Sequence, residues 1–340
     1  MPTRELVLRS HNMAHNVQII EPYITCKSGL WQFPPNPERT PKPPAAPAKI
    51  AELRAQRQKV RDVGHAKSAA LMDSLRQDGA SESDVFEQQA WHTLTIRLRE
   101  QVNRCPMCWH DRIQRCICNR VPPVALQLPV RVLVLMHHKE YYRASDDAKL
   151  LLMMLPAAHA KLFIYGKPGD LDALHAEIDE DPAHSMMLWP GDGAQTVEQF
   201  VDALPQSSPW RHARQMGGST AGGAPSASCR PVMKVVVLDA VYRHARTMFR
   251  QLVRTRRGGA PLQHVALHPK TLSVYSRAQH GYAQSSAQMV AQSADPEALR
   301  ICTVEAYALL LTELGEPPEH QKAFVDAVVT NNHALTGEKP

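Results

Sequence analysis

The chain has 340 residues, 44% of them apolar, and carries 39 basic against 33 acidic side chains. That length suits one large domain or two ordinary ones, and the composition excludes a disulfide-stapled miniprotein, a collagen and a wholly disordered chain. The longest apolar runs, at 130–136 apart from Arg131 and at 150–155, fall far below the ~18 residues of a membrane span, so a soluble globular protein is expected.

Residues 1–33 show no hydrophobic period. The first twenty hold two arginines and one acid without a continuous apolar core, so a secretory signal is not expected. With seven cysteines, an odd number, this points to a reducing compartment: cytoplasm or nucleus, with a mitochondrial presequence as the other reading. Residues 34–47, PPNPERTPKPPAAP, form a proline-rich linker. Residues 48–104 are predicted as a helical extension. Its first helix covers 48–77, with Ile50, Leu53, Val60, Leu71 and Leu75 spread among charged residues, and Gly79 and Ser81 break it. A second helix over 84–104 places Phe86, Trp91, Leu94 and Leu98 at i, i+3/i+4 spacing. Being basic and helical, this extension is expected to help dock RNA.

Beyond residue 120 the texture changes. Strand-like runs at 130–136, 161–165, 186–189, 233–238 and 263–267 alternate with helical stretches at 145–155, 170–178, 196–204, 242–256, 303–314 and 318–329. That alternation predicts βαβ units and a mostly parallel sheet, an α/β domain over 121–335. A low-complexity insertion at 206–231, containing GGSTAGGAPSAS, reads as a surface loop.

Between extension and domain lies the sharpest signal. Cys105-x2-Cys108-x7-Cys116-x-Cys118 offers four thiolates on two tight turns within residues 105–120. Tetrahedral zinc needs four soft ligands converging on one point, and two short chelating loops supply them. Four protein ligands close the coordination sphere, so the expected metal is structural and not catalytic. Arg104, Arg112, Arg115 and Arg120 flank the cluster and favour deprotonated sulfur. His110 is expected at the surface, with a substitute ligand as the alternative.

The second signal is a helix of arginines. Arg243, Arg246, Arg250, Arg254 and Arg257 recur at spacings of 3, 4, 4 and 3 and share one face, with Arg256 a sixth cation. Val241, Ala245, Met248 and Leu252 mark the opposite, sheet-packing face. A solvated amphipathic helix is the plain explanation, but arginine binds phosphate bidentately, which makes this face a nucleic-acid candidate. Asp239 ends the preceding strand, where α/β proteins bind ligands; it serves equally well as a helix N-cap.

Taken in order, these pieces resemble the DTW-domain family of RNA aminocarboxypropyltransferases over roughly residues 100–315. The cysteine cluster followed by Asn119-Arg120 opens the pattern. Leu135-Met136-His137-His138-Lys139-Glu140 resembles a strand ending in His-Pro-x-Glu, with His138 at the proline. Ser145-Asp146-Asp147-Ala148-Lys149-Leu150 is similar to an Asn-Thr-containing helix start, and Leu188-Trp189-Pro190-Gly191 to an apolar-aromatic-proline segment. The name-giving Asp-x-Thr-Trp becomes Asp239-Ala240-Val241-Tyr242, followed by Ala245-Arg246. Ser273-Val274-Tyr275-Ser276-Arg277 and Cys302-Thr303-Val304-Glu305-Ala306 complete the series.

The resemblance implies a SPOUT-like α/β fold with a C-terminal knot that forms the pocket. It implies transfer of the 3-amino-3-carboxypropyl group of S-adenosylmethionine to N3 of a tRNA uridine, with methylthioadenosine released. Asp239 would be the general base. His137, Leu188, Pro190, Tyr242, Tyr275, Cys302, Thr303 and Glu305 would surround the donor. Backbone amides near 302–304 would hold its carboxylate, and the arginine face with Arg277 would meet the tRNA. Two other readings stay open: a SPOUT-type RNA methyltransferase using the same donor, and a noncatalytic zinc-containing RNA-binding protein, favoured by Val241-Tyr242 standing at Thr-Trp. Each candidate also has a plain structural reading: His137 as a strand-end histidine, Glu305 as a helix cap, Cys302 and Tyr275 as core.

Overall fold

The structure, a computed structural model, describes residues 47–101, 104–111, 115–191, 193–211, 231–256, 261–267 and 301–336. The expected N-terminal segment, nearly all of the proline-rich linker and most of the 206–231 insertion lie outside the described residues, as do Arg257, Tyr275 and Arg277.

Helix α1 (Pro47–Gln77) and helix α2 (Glu82–Glu100) form an antiparallel hairpin. The turn sits where the sequence breaks: Gly79 takes φ 80°, a conformation open to glycine. Ser81 N-caps α2, its hydroxyl accepting the Asp84 amide at 3.2 Å. α2 then docks on the α/β body. Leu94 enters the main core, and Phe86 packs against Tyr165 at a centroid distance of 5.3 Å. A Cβ on Gly166 (φ 94°) would meet the Cβ of Ala90 at 2.6 Å, so that glycine permits the close approach.

The body is a five-stranded parallel sheet. In chain order its elements are β1 (Val130–His137), α3 (Lys149–Met154), β2 (Ala160–Tyr165), α4 (Asp170–Asp179), β3 (Ser185–Leu188), α5 (Val197–Ala203), β4 (Met233–Asp239), α6 (Tyr242–Thr255), β5 (Gln263–Val265), α7 (Thr303–Glu313) and α8 (Pro318–Thr336). The strands lie in the order β2-β1-β4-β3-β5, every pair parallel. The predicted alternation of strands and helices is thus present. Helix α3 is shorter than the 145–155 expected, because Asp146 and Asp147 are spent in the turn before it.

Both sheet faces are covered, which is why the central strands are nearly continuous apolar runs. On one face Val130, Val132, Val134 and Met136 of β1 meet Leu150, Leu151 and Met154 of α3, Tyr307 and Leu311 of α7, and Phe324 of α8. On the other, Leu133 and Leu135 meet Leu174 and Ile178 of α4 and Met248 and Leu252 of α6. From β1 the chain leaves through α3 toward β2; from β4 it leaves through α6 toward the opposite edge. The boundary of β1 and β4 is therefore where strand order reverses, and the crevice outside their carboxyl ends is where open α/β sheets bind ligands. Met136 pairs with Asp239 at that boundary. Among the described residues no helix is long and apolar enough to cross a membrane.

The loop leaving β1 is tied to the hairpin by one side chain. Arg97 of α2 donates to the carbonyls of Lys139, His138 and Tyr141 at 2.8, 2.6 and 2.6 Å. Removing it strands three carbonyl acceptors. Arg97→Ala is expected to lower unfolding free energy by about 1–3 kcal/mol, seen as a lower urea midpoint at unchanged slope, with no full recovery in Arg97→Lys, whose single ammonium lacks the fork.

Candidate functional site

Strand alternation sends successive side chains to opposite sheet faces, and this sorts the candidate residues into two groups. Asp239 shares its face with Val235 and Val237 and points toward the start of α7. Its Oδ1 accepts the Thr303 hydroxyl at 2.9 Å, and it is 5% exposed. The N-cap alternative is excluded: Val241 occupies that position, with no side-chain cap bond. A second carboxyl, Asp146, lies within hydrogen-bonding reach of Asp239. Its Oδ1 accepts the Lys149 amide at 3.2 Å. Burial, with the nearby carboxylates, raises Asp239 to about 6 and pushes Asp146 well above the usual carboxylate range. Asp147 is also raised, by burial first; its Oδ2 accepts the Val304 amide at 3.0 Å.

Lys149 stands beneath this loop, fully buried. Its ammonium donates to the carbonyl of Asp146 at 2.7 Å and to that of Ala144, and it lies 5.9 Å from the Trp109 ring centroid. Burial lowers it to about 8 despite the adjacent aspartates. Asp146, Asp147 and Lys149 were not among the residues singled out from sequence as site residues. Their only signal was two acids and a lysine in a helix start that is otherwise apolar.

The start of α7 corrects one expectation. The amides of Cys302 and Val304, expected to hold a carboxylate ligand, are already taken: Cys302 N donates to Glu305 Oε2 at 2.9 Å and Val304 N to Asp147. The Cys302 thiol accepts the Glu305 amide, closing a capping box. Glu305 and Cys302 thus act here as caps, their plain structural reading. Thr303 alone among these three reaches Asp239.

His137 points to the other face. Its ring stacks between His138 and His244, at centroid distances of 4.3 and 4.2 Å, and its Nδ1 accepts the Lys139 amide at 3.1 Å. Burial and the neighbouring cations hold the His137 imidazole down to about 3 and His138 to about 4, so both are neutral at physiological pH. The sheet therefore separates His137 from Asp239. Leu188 shares the Asp239 face, whereas Trp189, its neighbour, joins the α6 side. There Trp189 stacks on Phe249 at 4.7 Å and lies parallel to Tyr242 at 6.3 Å. Pro190 follows and is exposed.

Along α6, Arg243, Arg246, Arg250 and Arg254 are exposed, as the spacing predicted, and the helix contains no acidic residue. Two expectations fail. Val241 is 41% exposed, since the helix begins only at Tyr242 and the sheet-facing stripe is Ala245, Met248 and Leu252. Arg256 is not a free sixth cation; it pairs with Asp179 at 2.8 Å.

The four cysteines converge. All four Sγ atoms lie within 4.8 Å of one another, with Cys105–Cys118 at 3.5 Å and Cys108–Cys116 at 3.7 Å. Sulfurs bonded tetrahedrally at ~2.3 Å to zinc would be ~3.8 Å apart, so the cage fits a metal ion such as zinc. His110 is not at the surface: it is 1% exposed and bonds Asn331 of α8 at 2.8 Å. Arg115 donates to the Leu335 carbonyl at 3.1 Å and Arg104 to that of Tyr142 at 3.0 Å. Trp109, at φ 59°, packs edge-on against Tyr141 at 5.2 Å.

About one zinc per chain is expected by elemental analysis of the purified protein. Cys108→Ser should lose it and lower the thermal midpoint; His110→Ala should keep it, because that ring serves α8 and not the metal.

No curated protein and no solved structure matches the chain. A parallel sheet with an aspartate closing β4, a cysteine cage ahead of β1 and a helix start facing that aspartate nevertheless lie within one family pattern, for residues 102–330 match the DTW domain. The chain therefore belongs to the DTW-domain family, the domain of tRNA-uridine aminocarboxypropyltransferases.

Proposed function

We propose that the protein moves the 3-amino-3-carboxypropyl group of S-adenosylmethionine to N3 of a tRNA uridine. The observation that carries this reading is Asp239: a buried carboxyl at the topological switch point, held by Thr303, raised to about 6. A base of that strength is ionised at neutral pH and retains affinity for a proton, which suits removal of the uridine N3 proton. The donor supplies an electrophilic γ-carbon beside a sulfonium. The site's excess of buried carboxyls over buried cations fits a ligand carrying sulfonium and ammonium charge. Leu188, on the Asp239 face, offers apolar surface beside it.

On the opposite face, the exposed arginines of α6 and the half-exposed ring of Tyr242 form a surface suited to phosphates and an unstacked base. Tyr242 is accordingly read as RNA-facing and not donor-binding. A SPOUT-like arrangement is consistent with the parallel sheet; the chain that would tie a knot includes residues 268–300, which lie outside the described residues. We read 105–120 as a structural zinc module, 48–104 as an extension bearing on the tRNA, and 121–335 as the catalytic domain.

The test is incubation with S-adenosylmethionine and unmodified tRNA, with mass spectrometry of nucleosides and by-product. Methylthioadenosine and an aminocarboxypropyl-uridine are expected. S-adenosylhomocysteine with a methylated nucleoside would replace this reading by a methyltransferase, and tRNA binding without either product by a noncatalytic RNA binder. Asp239→Asn should reduce turnover about 10²–10⁴-fold while tRNA affinity holds. The wild-type rate should fall as pH drops through about 6, where Asp239 gains its proton. Arg246→Ala and Arg250→Ala should each weaken tRNA binding and lessen the salt slope by about one.

A further inference from the structure

Asp146 is absent from the proposal above, yet it is the group nearest in chemistry to Asp239. It lies in the loop between β1 and α3, buried. Its Oδ1 accepts the Lys149 amide at 3.2 Å, and that lysine's ammonium holds the Asp146 carbonyl from below at 2.7 Å. The residue is therefore held at its side chain by the Lys149 amide and at its main chain by the Lys149 ammonium. The carboxyl of Asp239 lies within hydrogen-bonding reach of it. Asp239 Oδ1 is satisfied by Thr303, whereas its Oδ2 is buried and receives no N–H or hydroxyl among the described residues. An acceptor buried without a donor costs about 1–3 kcal/mol, and two ionised carboxylates in contact cost more. Both costs vanish if one proton sits between them.

We infer that Asp146 is a positioning residue: it keeps its proton, donates it as a hydrogen bond to Asp239 Oδ2, and so holds Asp239 as the ionised member of the pair. This rests on Asp239 being the base of the proposed reaction. The surrounding groups agree with the division. Asp146 faces the charges of Asp239 and Asp147 after its burial, offset in part by the Lys149 ammonium. Asp239 is pressed upward by burial, Asp147 and Glu140 but is drawn down by two hydrogen bonds, from Asp146 and Thr303. The weaker acid is thus the one without a hydroxyl partner. No covalent change is involved; the proton that leaves uridine N3 goes to Asp239, and that of Asp146 stays in place.

The asparagine side chain reproduces this arrangement, its oxygen accepting from Lys149 and its NH2 donating to Asp239; alanine removes it. The experiment follows the carboxyl carbons of full-length protein labelled with 13C-aspartate, Asp239→Asn serving to assign the Asp239 signal, together with the pH dependence of turnover. In Asp146→Ala the Asp239 titration and the acidic limb of the rate should both move up by about one pH unit, a loss of ionised base of about fivefold at pH 6 that approaches tenfold at lower pH. In Asp146→Asn both should stay within a few tenths of a unit of wild type. In the wild type the Asp146 signal should remain protonated at pH 7. The inference is overturned if Asp146→Ala leaves the Asp239 titration in place, if Asp146→Asn moves it as far as alanine does, or if Asp146 itself titrates near 4. Should Asp146→Ala fail to fold, the asparagine variant and the wild-type Asp146 signal decide. Should the wild type make no aminocarboxypropyl-uridine, the reaction reading fails while the carboxyl titrations still settle the pair.

Discussion

Asp146, Asp147 and Asp239 are withdrawn from water together at the carboxyl end of the sheet, and an isolated carboxylate in that position would cost several kcal/mol. Each is kept there by a different donor: the Lys149 amide for Asp146, the Val304 amide for Asp147, the Thr303 hydroxyl for Asp239. Two of those donors belong to the first turn of α7, some 65 residues beyond β4 in sequence and about 155 beyond the loop after β1. Satisfying the buried acids thereby seats α7 against both. The local chemistry and the long-range packing are one constraint, and disturbing either should be felt by the other.

The same loop after β1 is secured on its remaining sides. Arg97 reaches it from the helical hairpin, and Arg104 and Trp109 reach it from the cysteine cage. Neither the hairpin nor the cage supplies a group to Asp239. Their contribution is to hold a loop of about eleven residues, otherwise free to rearrange, in one conformation. In this arrangement the cysteine cage bears on the buried carboxyls mechanically: Trp109 follows Cys108 directly, and its ring centroid lies 5.9 Å from the ammonium of the lysine that supports Asp146.

Strand alternation divides the rest of the surface. Residues facing α7 surround Asp239 and carry negative charge; residues facing α6 are histidine, aromatic and arginine. A cationic ligand suits the first environment and a polyanion the second. That Asp239 and His137 end neighbouring strands but point to opposite faces follows from register, since Asp239 pairs with Met136 and not with His137.

Much of this was legible in the sequence. The alternation of strand-like runs with helical stretches pointed to a parallel sheet, because each crossover helix returns the chain in the same direction. The spacing of the cysteines pointed to a compact four-sulfur cage, since chelation over one to seven intervening residues is local. The arginine face of α6 follows from helical period alone. What depended on tertiary structure is everything joined across long separations. Asp239 reads equally well as a helix cap until the fold places Val241 at the cap position and Thr303 of α7 against the Asp239 carboxyl. Asp146 and Lys149 looked like the polar start of a helix, His110 like a surface residue and Arg256 like one more phosphate ligand, until their partners, Asp239, Trp109, Asn331 and Asp179, were brought within reach. Local period decides which face a side chain takes; only the folded chain decides what charge it meets there.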